Sequence, residues 1–342
     1  MRKKILLKGP LLTRSGYGEQ TRFALRALRT REDLFDIFIQ PLTWGQTSWD
    51  ASDTEERKWI DQVIERTIIF IQQGGQFDMS LQVTIPNEWE RMAPVNVGYT
   101  AGIETTKVAP QWLQKGNEMV DKIIVVSNHA KQVYLSTEYD ARASDDNGEV
   151  IREMKYRLET PIDVVNYPAK PPETSLQLDL DLHNDFNFLV VAQFGPRKNV
   201  PDTIKWYVEE FKDEDVGIVI KSNIAKNCTM DREKMYADMK TFVNGLPEHK
   251  CKIYLLHGDM SDEEVQALYN HSKIKALVAL PHGEGFGLPI FEAAYSGLPV
   301  VATGWSGQLD FLIDSDKNDC FYNVSFDLQP VQENVIWDGV II

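Results

Sequence analysis

The 342-residue sequence has only three cysteines, Cys228, Cys251 and Cys320. Their spacing fits no metal site and three thiols cannot all pair, so a disulfide framework is excluded and a reducing, cytoplasmic compartment is expected. Six histidines are scattered without metal-ligand spacing, and no Asp-x-Asp stands at the end of an expected strand, so no metal site is expected. There is no uncharged apolar run of about 18 residues, hence no expected membrane-spanning helix. The start, "MRKKILLKGP", is basic and then apolar, but Lys8 and Pro10 interrupt it and no small-residue cleavage site follows. Lys4 to Leu7 therefore reads as a first core strand rather than a signal peptide.

Hydrophobic residues make up 43% and charged residues 25%, ordinary for a globular chain too long for one core. The net charge of −15 is uneven. Residues 1–170 hold 22 basic and 24 acidic side chains, and residues 171–342 hold 14 and 27. Nine basic side chains and one acidic one, Glu19, fall within the first 31 residues. Acidity thus belongs to the second half, and a local basic surface on the first stays open.

Strand, glycine loop and helix alternate along the chain. "KKILLKG" leads into "SGYGEQTRFALRALRT", whose Phe23, Ala24, Ala27 and Leu28 recur at helical spacing. "RTIIFIQ", "VNVGYT", "KIIVVS" and "IDVVNY" read as buried parallel strands. The charged stretch 140–158 reads as a surface insertion, and "NYPAKPPETS", with three prolines from Pro168 to Pro172, as a linker. In the second half, "NFLVVAQ", "VGIVIK", "CKIYLLHG", "IKALVAL" and "LPVVAT" read as strands. "VPDTIKWYVEEF" and "DREKMYADMKTFVNGL" read as helices, and Ser261 with Glu264 forms a capping box opening another. The expectation is α/β: two Rossmann-like, doubly wound parallel-sheet domains facing across a cleft, 1–168 and 187–342, joined by a linker at 169–186.

"HGEGFGLPIFEAAYSGLPVVAT" follows the strand at 275–280 and carries two carboxylates eight positions apart, Glu284 and Glu292. Pro289 suits the first helical position, which starts the helix near Leu288 and puts Glu292 in its first turn. Amides at a helix start suit a diphosphate. Carboxylates would repel it, so their expected partners are the vicinal hydroxyls of a ribose and a sugar. Gly285 and Gly287 allow close backbone approach. Read singly, Glu292 could merely compensate the helix dipole and Glu284 be a solvated loop charge.

This Glu-x7-Glu segment resembles the hallmark of the retaining GT-B glycosyltransferases of the large fourth family, which transfer sugars from nucleoside-diphosphate donors. "VVAQFGPRKNVPDTIKWY" and "HGDMSDEEVQALYNHS" resemble the same family's elements upstream. The resemblance covers nearly all of 185–313 and, in layout only, 1–170. It implies GT-B architecture, a UDP- or GDP-sugar donor, Glu284 on the donor sugar and Glu292 on the ribose. Gly285, Phe286, Gly287 and Leu288 would line the donor site. Lys198 matches the family's lysine, whereas the arginine usual five residues earlier is Gln193 here, so Arg197 is the substitute cation. Ser306 and Gly307 in "GWSGQLDFL" would donate to the diphosphate or sugar.

In the first half, Gly16 and Gly18 in "SGYGEQ" form a candidate phosphate-facing loop, although an ordinary turn also accounts for them. Glu104 stands roughly where many family members carry a histidine near the reacting sugar, so orienting the acceptor or the sugar and acting as a base are both open to it. His129 is a second candidate, although a structural role at a helix start also accounts for it. The implied reaction is a front-face displacement without a protein nucleophile or a required metal, resting on positioning and electrostatics. Arg14, Arg22, Arg26 and Arg29 leave an anionic acceptor open. Trp44, Trp49, Trp89 and Trp112 offer stacking surfaces where they are not core. A saccharide and a hydroxymethylated base in viral DNA are both candidate acceptors. The alternatives are a catalytically silent nucleotide-sugar-binding protein and a sugar-nucleotide epimerase. The apolar ending "VIWDGVII" replaces the helix that usually crosses back to the first domain, which reads as a shortened chain.

Overall fold

The computed structural model describes residues 2–45, 47–144, 150–170 and 174–342. Part of the expected insertion (145–149) and of the expected linker (171–173) lies outside them. The chain forms two compact units, Met1–Tyr167 with Pro330–Ile342, and Pro168–Gln329. The last thirteen residues thus pack with the first unit, where the sequence had placed them in the second domain. They do so without a helix of more than one short turn: Trp337 pairs with Ile341 in an isolated bridge, Val340 joins the core and Asn87 donates to the Gly339 carbonyl at 3.0 Å.

In the first unit, β1 (Lys3–Gly9) is followed by α1 (Gly16–Arg29), β2 (Phe35–Pro41), α2 (Glu55–Gln72), β3 (Met79–Val83) and β4 (Val95–Thr100). Next come α3 (Pro110–Met119), β5 (Lys122–Val125), α4 (Asn128–Ser136), the antiparallel pair β6 (Glu138–Ser144) and β7 (Val150–Arg157), and β8 (Ile162–Val164). The main sheet is parallel, in the order β2-β1-β3-β4-β5-β8. "RTIIFIQ" is not a strand but the end of α2. Thr54 caps that helix, and upstream residues of high helical propensity carry it through the β-branched run. Ile68, Ile69 and Ile71 stay about half exposed. The strands in its place are β2 and β3, and the charged excursion is the β6–β7 hairpin.

The second unit runs β9 (Asn187–Val191), α5 (Val200–Phe211), β10 (Gly217–Lys221), α6 (Thr229–Asn244), β11 (Lys252–Leu256) and α7 (Asp262–Tyr269). It continues with β12 (Ile274–Ala279), α8 (Leu288–Tyr295), β13 (Val300–Thr303), α9 (Leu309–Leu312) and β14 (Tyr322–Val324). All its pairs are parallel, in the order β11-β10-β9-β12-β13-β14. Alternation along β9 sends Leu189 to one face, with Leu277, Ile290 and Ala293, and Val190 to the other, with Val200, Ile204 and Ile220. Each such buried branched side chain contributes ~1.5–3 kcal/mol, which holds helices on both faces. The Ser261–Glu264 capping box is present at the start of α7. Strand order reverses between β9 and β12, and in doubly wound sheets ligands bind beyond the carboxyl ends of the strands at that point.

Candidate active site

Two loops leave the sheet at the reversal point, one after β9 and one after β12. The first makes a single 3-10 turn, Pro196–Lys198, and then passes through Asn199 in the left-handed region at φ 53°. Asn199 Nδ2 donates to the Leu280 carbonyl at 3.2 Å, and the His282 amide donates to the Arg197 carbonyl at 2.9 Å. These cross-links bring Arg197 and Lys198 onto Glu284. Lys198 Nζ donates to Glu284 Oε1. Arg197 Nη1 lies 3.2 Å from Glu284 Oε2 and donates to the Gly283 carbonyl at 2.8 Å. Glu284 is 8% exposed. Burial pushes its carboxyl pKa up, but the charges of Lys198 and Arg197 outweigh that and hold it below the ordinary glutamate value.

A third loop, after β13, backs this arrangement. Ser306, at φ 77°, accepts from the Glu284 amide at 3.0 Å and donates to Gln308 Oε1 at 2.8 Å. The Gly307 amide donates to the Glu284 carbonyl at 2.9 Å. The sequence offered Ser306 and Gly307 as donors to a ligand; in the structure these groups are engaged in holding the Glu284 loop. Gln308 is fully buried and anchors the assembly through Nε2 to the Thr303 carbonyl at 3.1 Å. Sequence reasoning missed Gln308 and Asn199, since each acts through contacts that only the fold creates.

Gly287 caps α8 at φ 89°, Leu288 is the first helical residue and Pro289 the second. Glu292 therefore occupies the second turn of the helix, not the first. Its Oε2 accepts from the Tyr269 hydroxyl at 3.3 Å, and its Oε1 lies 3.9 Å from Lys170 Nζ. Gly285 is buried in the loop, and a Cβ on Gly307 would meet its carbonyl oxygen. Phe286 is 4% exposed and its ring lies among those of Phe291 and Phe311, with centroids 5.4 and 5.0 Å away, which makes it a packing residue. Gln193 donates to the Ile224 carbonyl at 2.8 Å, toward the loop after β10.

In the first unit Gly16 and Gly18 do not form a loop. They lie in the first turn of α1, capped by Ser15, whose hydroxyl accepts from the Gly18 amide at 3.0 Å. Between them Tyr17 packs against Trp44, the ring centroids 4.6 Å apart and the planes inclined by 45°, and shares a 2.7 Å hydrogen bond with Thr100 Oγ1. Burial above all, and to a smaller extent the Glu104 charge, raise the Tyr17 phenol well above its ordinary value. His129 sits half-buried in the first turn of α4, beyond β5.

The basic N-terminal stretch is largely neutralised. Arg14 pairs with Asp50 at 3.1 Å, Arg22 with Glu19 at 2.7 Å and Arg26 with Glu56 at 2.8 Å, while Arg29 lies over the Trp59 ring. Trp89 and Trp112 are core, and Trp49 is half exposed. Among the described residues no group of three or more His, Cys, Asp or Glu side chains could hold a metal, and no helix is long and apolar enough to cross a membrane.

Residues 180–323, which contain this cluster, match the family described as Glycosyl transferases group 1. A serotype-specific mannosyltransferase WbdA of Escherichia coli is 33% identical over 120 residues, 34% of this chain. The matched stretch spans only 13% of that relative's length. Among solved structures, Anabaena HepE in complex with UDP-glucose is similar with a TM-score of 0.57 at 11% identity, over 95% of this chain and 86% of the other. Sucrose-phosphate synthase from Thermosynechococcus elongatus has the same TM-score and coverage at 13% identity. The catalytic domain of Arabidopsis thaliana starch synthase IV, bound to ADP and acarbose, reaches 0.55 at 10% identity, over 95% of this chain and 88% of the other. These likenesses run through both units and show the fold expected from the sequence, GT-B.

Proposed function

We propose that this chain, whose second unit carries a glycosyl transferases group 1 domain, is a retaining glycosyltransferase that moves a hexose from a nucleoside-diphosphate sugar to an acceptor hydroxyl. The carrying observation is the buried Glu284 with Arg197 and Lys198 upon it, at the strand-order reversal of a doubly wound sheet. Two cations and a carboxylate converging there suit a ligand with both a diphosphate and hydroxyls.

The donor's C1–O bond to the β-phosphate breaks, and the acceptor oxygen bonds to C1 from the same face. The acceptor proton passes to the departing phosphate oxygen. Arg197 and Lys198 neutralise the charge that grows on that oxygen, a role the uncharged Gln193 cannot fill, and the amides at the start of α8 assist. Glu284 accepts from the sugar hydroxyls and Glu292 from the ribose. With two cations supplying the charge, the step calls for no metal. Glu104 and His129, on the first unit, are assigned to orienting the acceptor. The pairing of Arg14, Arg22 and Arg26 with acidic side chains supports a saccharide hydroxyl as acceptor over a base in DNA.

The test is a panel of UDP- and GDP-linked hexoses, GDP-mannose included, scored by thermal stabilisation and by mass-resolved sugar release, with Glu284→Gln alongside. Stabilisation by one nucleotide class with release in the wild type alone is expected. Binding without release of any sugar would mark a silent binding protein, and conversion of the donor sugar without transfer an epimerase. No binding at all would overturn the reading.

A further inference from the structure

Lys170 comes from the segment that joins the two units in sequence, only three residues after the boundary at Tyr167. Its side chain is 18% exposed, unusual for a linker lysine, and it stands between two carboxylates. Nζ donates to Asp262 Oδ1 at 3.1 Å and makes a 3.9 Å ion pair with Glu292 Oε1. Asp262 is the first residue of α7 and Tyr269 the last, and the Tyr269 hydroxyl donates to Glu292 Oε2 at 3.3 Å. Side chains on a helix lean toward its N-terminus, which lets the tyrosine reach back to the carboxylate that Lys170 also touches. A closed ring results: Lys170, Asp262, α7, Tyr269, Glu292 and Lys170 again.

We infer that Lys170 is a positioning residue for Glu292, fixing its carboxylate for the ribose of the donor. The inference rests on the proposed role of Glu292. With one oxygen against an ammonium and the other against a phenol, the carboxylate is held in a single orientation. The ammonium also offsets the repulsion between this carboxylate and a diphosphate bound in the same site, an interaction that falls only as the inverse of distance. Arginine carries the same charge on a comparable stem, whereas methionine keeps the length and loses the charge.

The test measures calorimetric binding of UDP and GDP and of their 2′,3′-dideoxy counterparts. For the nucleotide that binds the wild type, removal of both ribose hydroxyls weakens binding, and Glu292→Gln erases that difference. Lys170→Met weakens binding of the intact nucleotide about three- to tenfold and leaves the dideoxy form within twofold, while Lys170→Arg restores most of the preference. Asp262→Asn, which leaves Glu292 untouched, shifts affinity in the same direction by less. In turnover the donor KM rises in Lys170→Met and kcat stays within twofold. A full ribose preference in Lys170→Met, with Glu292→Gln having lost it, overturns the inference and leaves Lys170 as a fastener of the chain to α7. A preference that survives Glu292→Gln overturns the ribose role of Glu292 itself, and the inference with it.

Discussion

A Cβ on Gly307 would stand 2.0 Å from the carbonyl oxygen of Gly285 and 2.8 Å from that of Glu284. Both contacts are backbone, so neither can swing aside as a side chain would. Gly307 is thus a glycine because the loops after β12 and β13 touch main chain to main chain. The same approach lets its amide donate to Glu284.

Gly307→Ala is accordingly expected to separate the two loops and to lose the 2.9 Å hydrogen bond that goes with them. Overpacking of this kind costs about 1–3 kcal/mol. Urea unfolding should show that loss with an unchanged slope, and affinity for the nucleotide should fall with it. A variant as stable as the wild type would mean the loops part without penalty.

The ion cluster sets a pH dependence. The Glu284 pKa lies below its unfolded value of about 4.3. Its contribution to stability is therefore complete above that value and is lost as pH falls through the lower folded value. Glu284→Gln removes the dependence and leaves two partly exposed cations without their carboxylate. The variant should be less stable at pH 7 by about 1–3 kcal/mol, and the gap to the wild type should narrow below pH 4. Thermal melts from pH 3 to 7 measure both; a constant gap across the range would contradict the ionic role.

Much of the second unit was legible in the sequence because its strands are short, β-branched and bounded by turn residues, and because helices such as Val200–Phe211 carry their own periodicity. Glu284, Arg197 and Lys198 were legible as types at loop positions after strands. Their mutual contact was not, since it depends on β9 and β12 being sheet neighbours although 86 residues part Lys198 from Glu284. "RTIIFIQ" misled because a short apolar run has no distinguishing period, and the capped segment ahead of it decides the outcome. The glycine pair at 16 and 18 misled because Ser15, a capping residue, was the informative neighbour. Lys170 was invisible for a simpler reason: nothing in a proline-rich linker announces that one lysine folds back onto a helix.

The two glycines of α1 can be told apart. A Cβ on Gly18 would lie 2.1 Å from the Thr13 carbonyl oxygen, whereas one on Gly16 meets nothing within 4 Å. Gly18→Ala should destabilise the first unit by about 1–3 kcal/mol. Gly16→Ala should stabilise it by roughly 0.5 kcal/mol, through reduced freedom of the unfolded chain. Urea unfolding of the two variants measures both signs, and equal effects at the two positions would mean that the turn relaxes around either Cβ.

Arg197 and Lys198 are expected to act mainly on the transition state, where the leaving diphosphate gains charge. Replacing either by alanine should lower kcat about a hundredfold, with a smaller change in donor KM. The pair should not be additive. Both hold Glu284, so the first loss already frees that carboxylate from half of its restraint, and the second removes a cation from a site that is misaligned. The double variant should therefore lose less than the product of the single losses, with a coupling of about 0.5–3 kcal/mol in a double-mutant cycle. Full additivity would instead mean that the two cations act on the diphosphate independently and that their contact with Glu284 has no part in turnover.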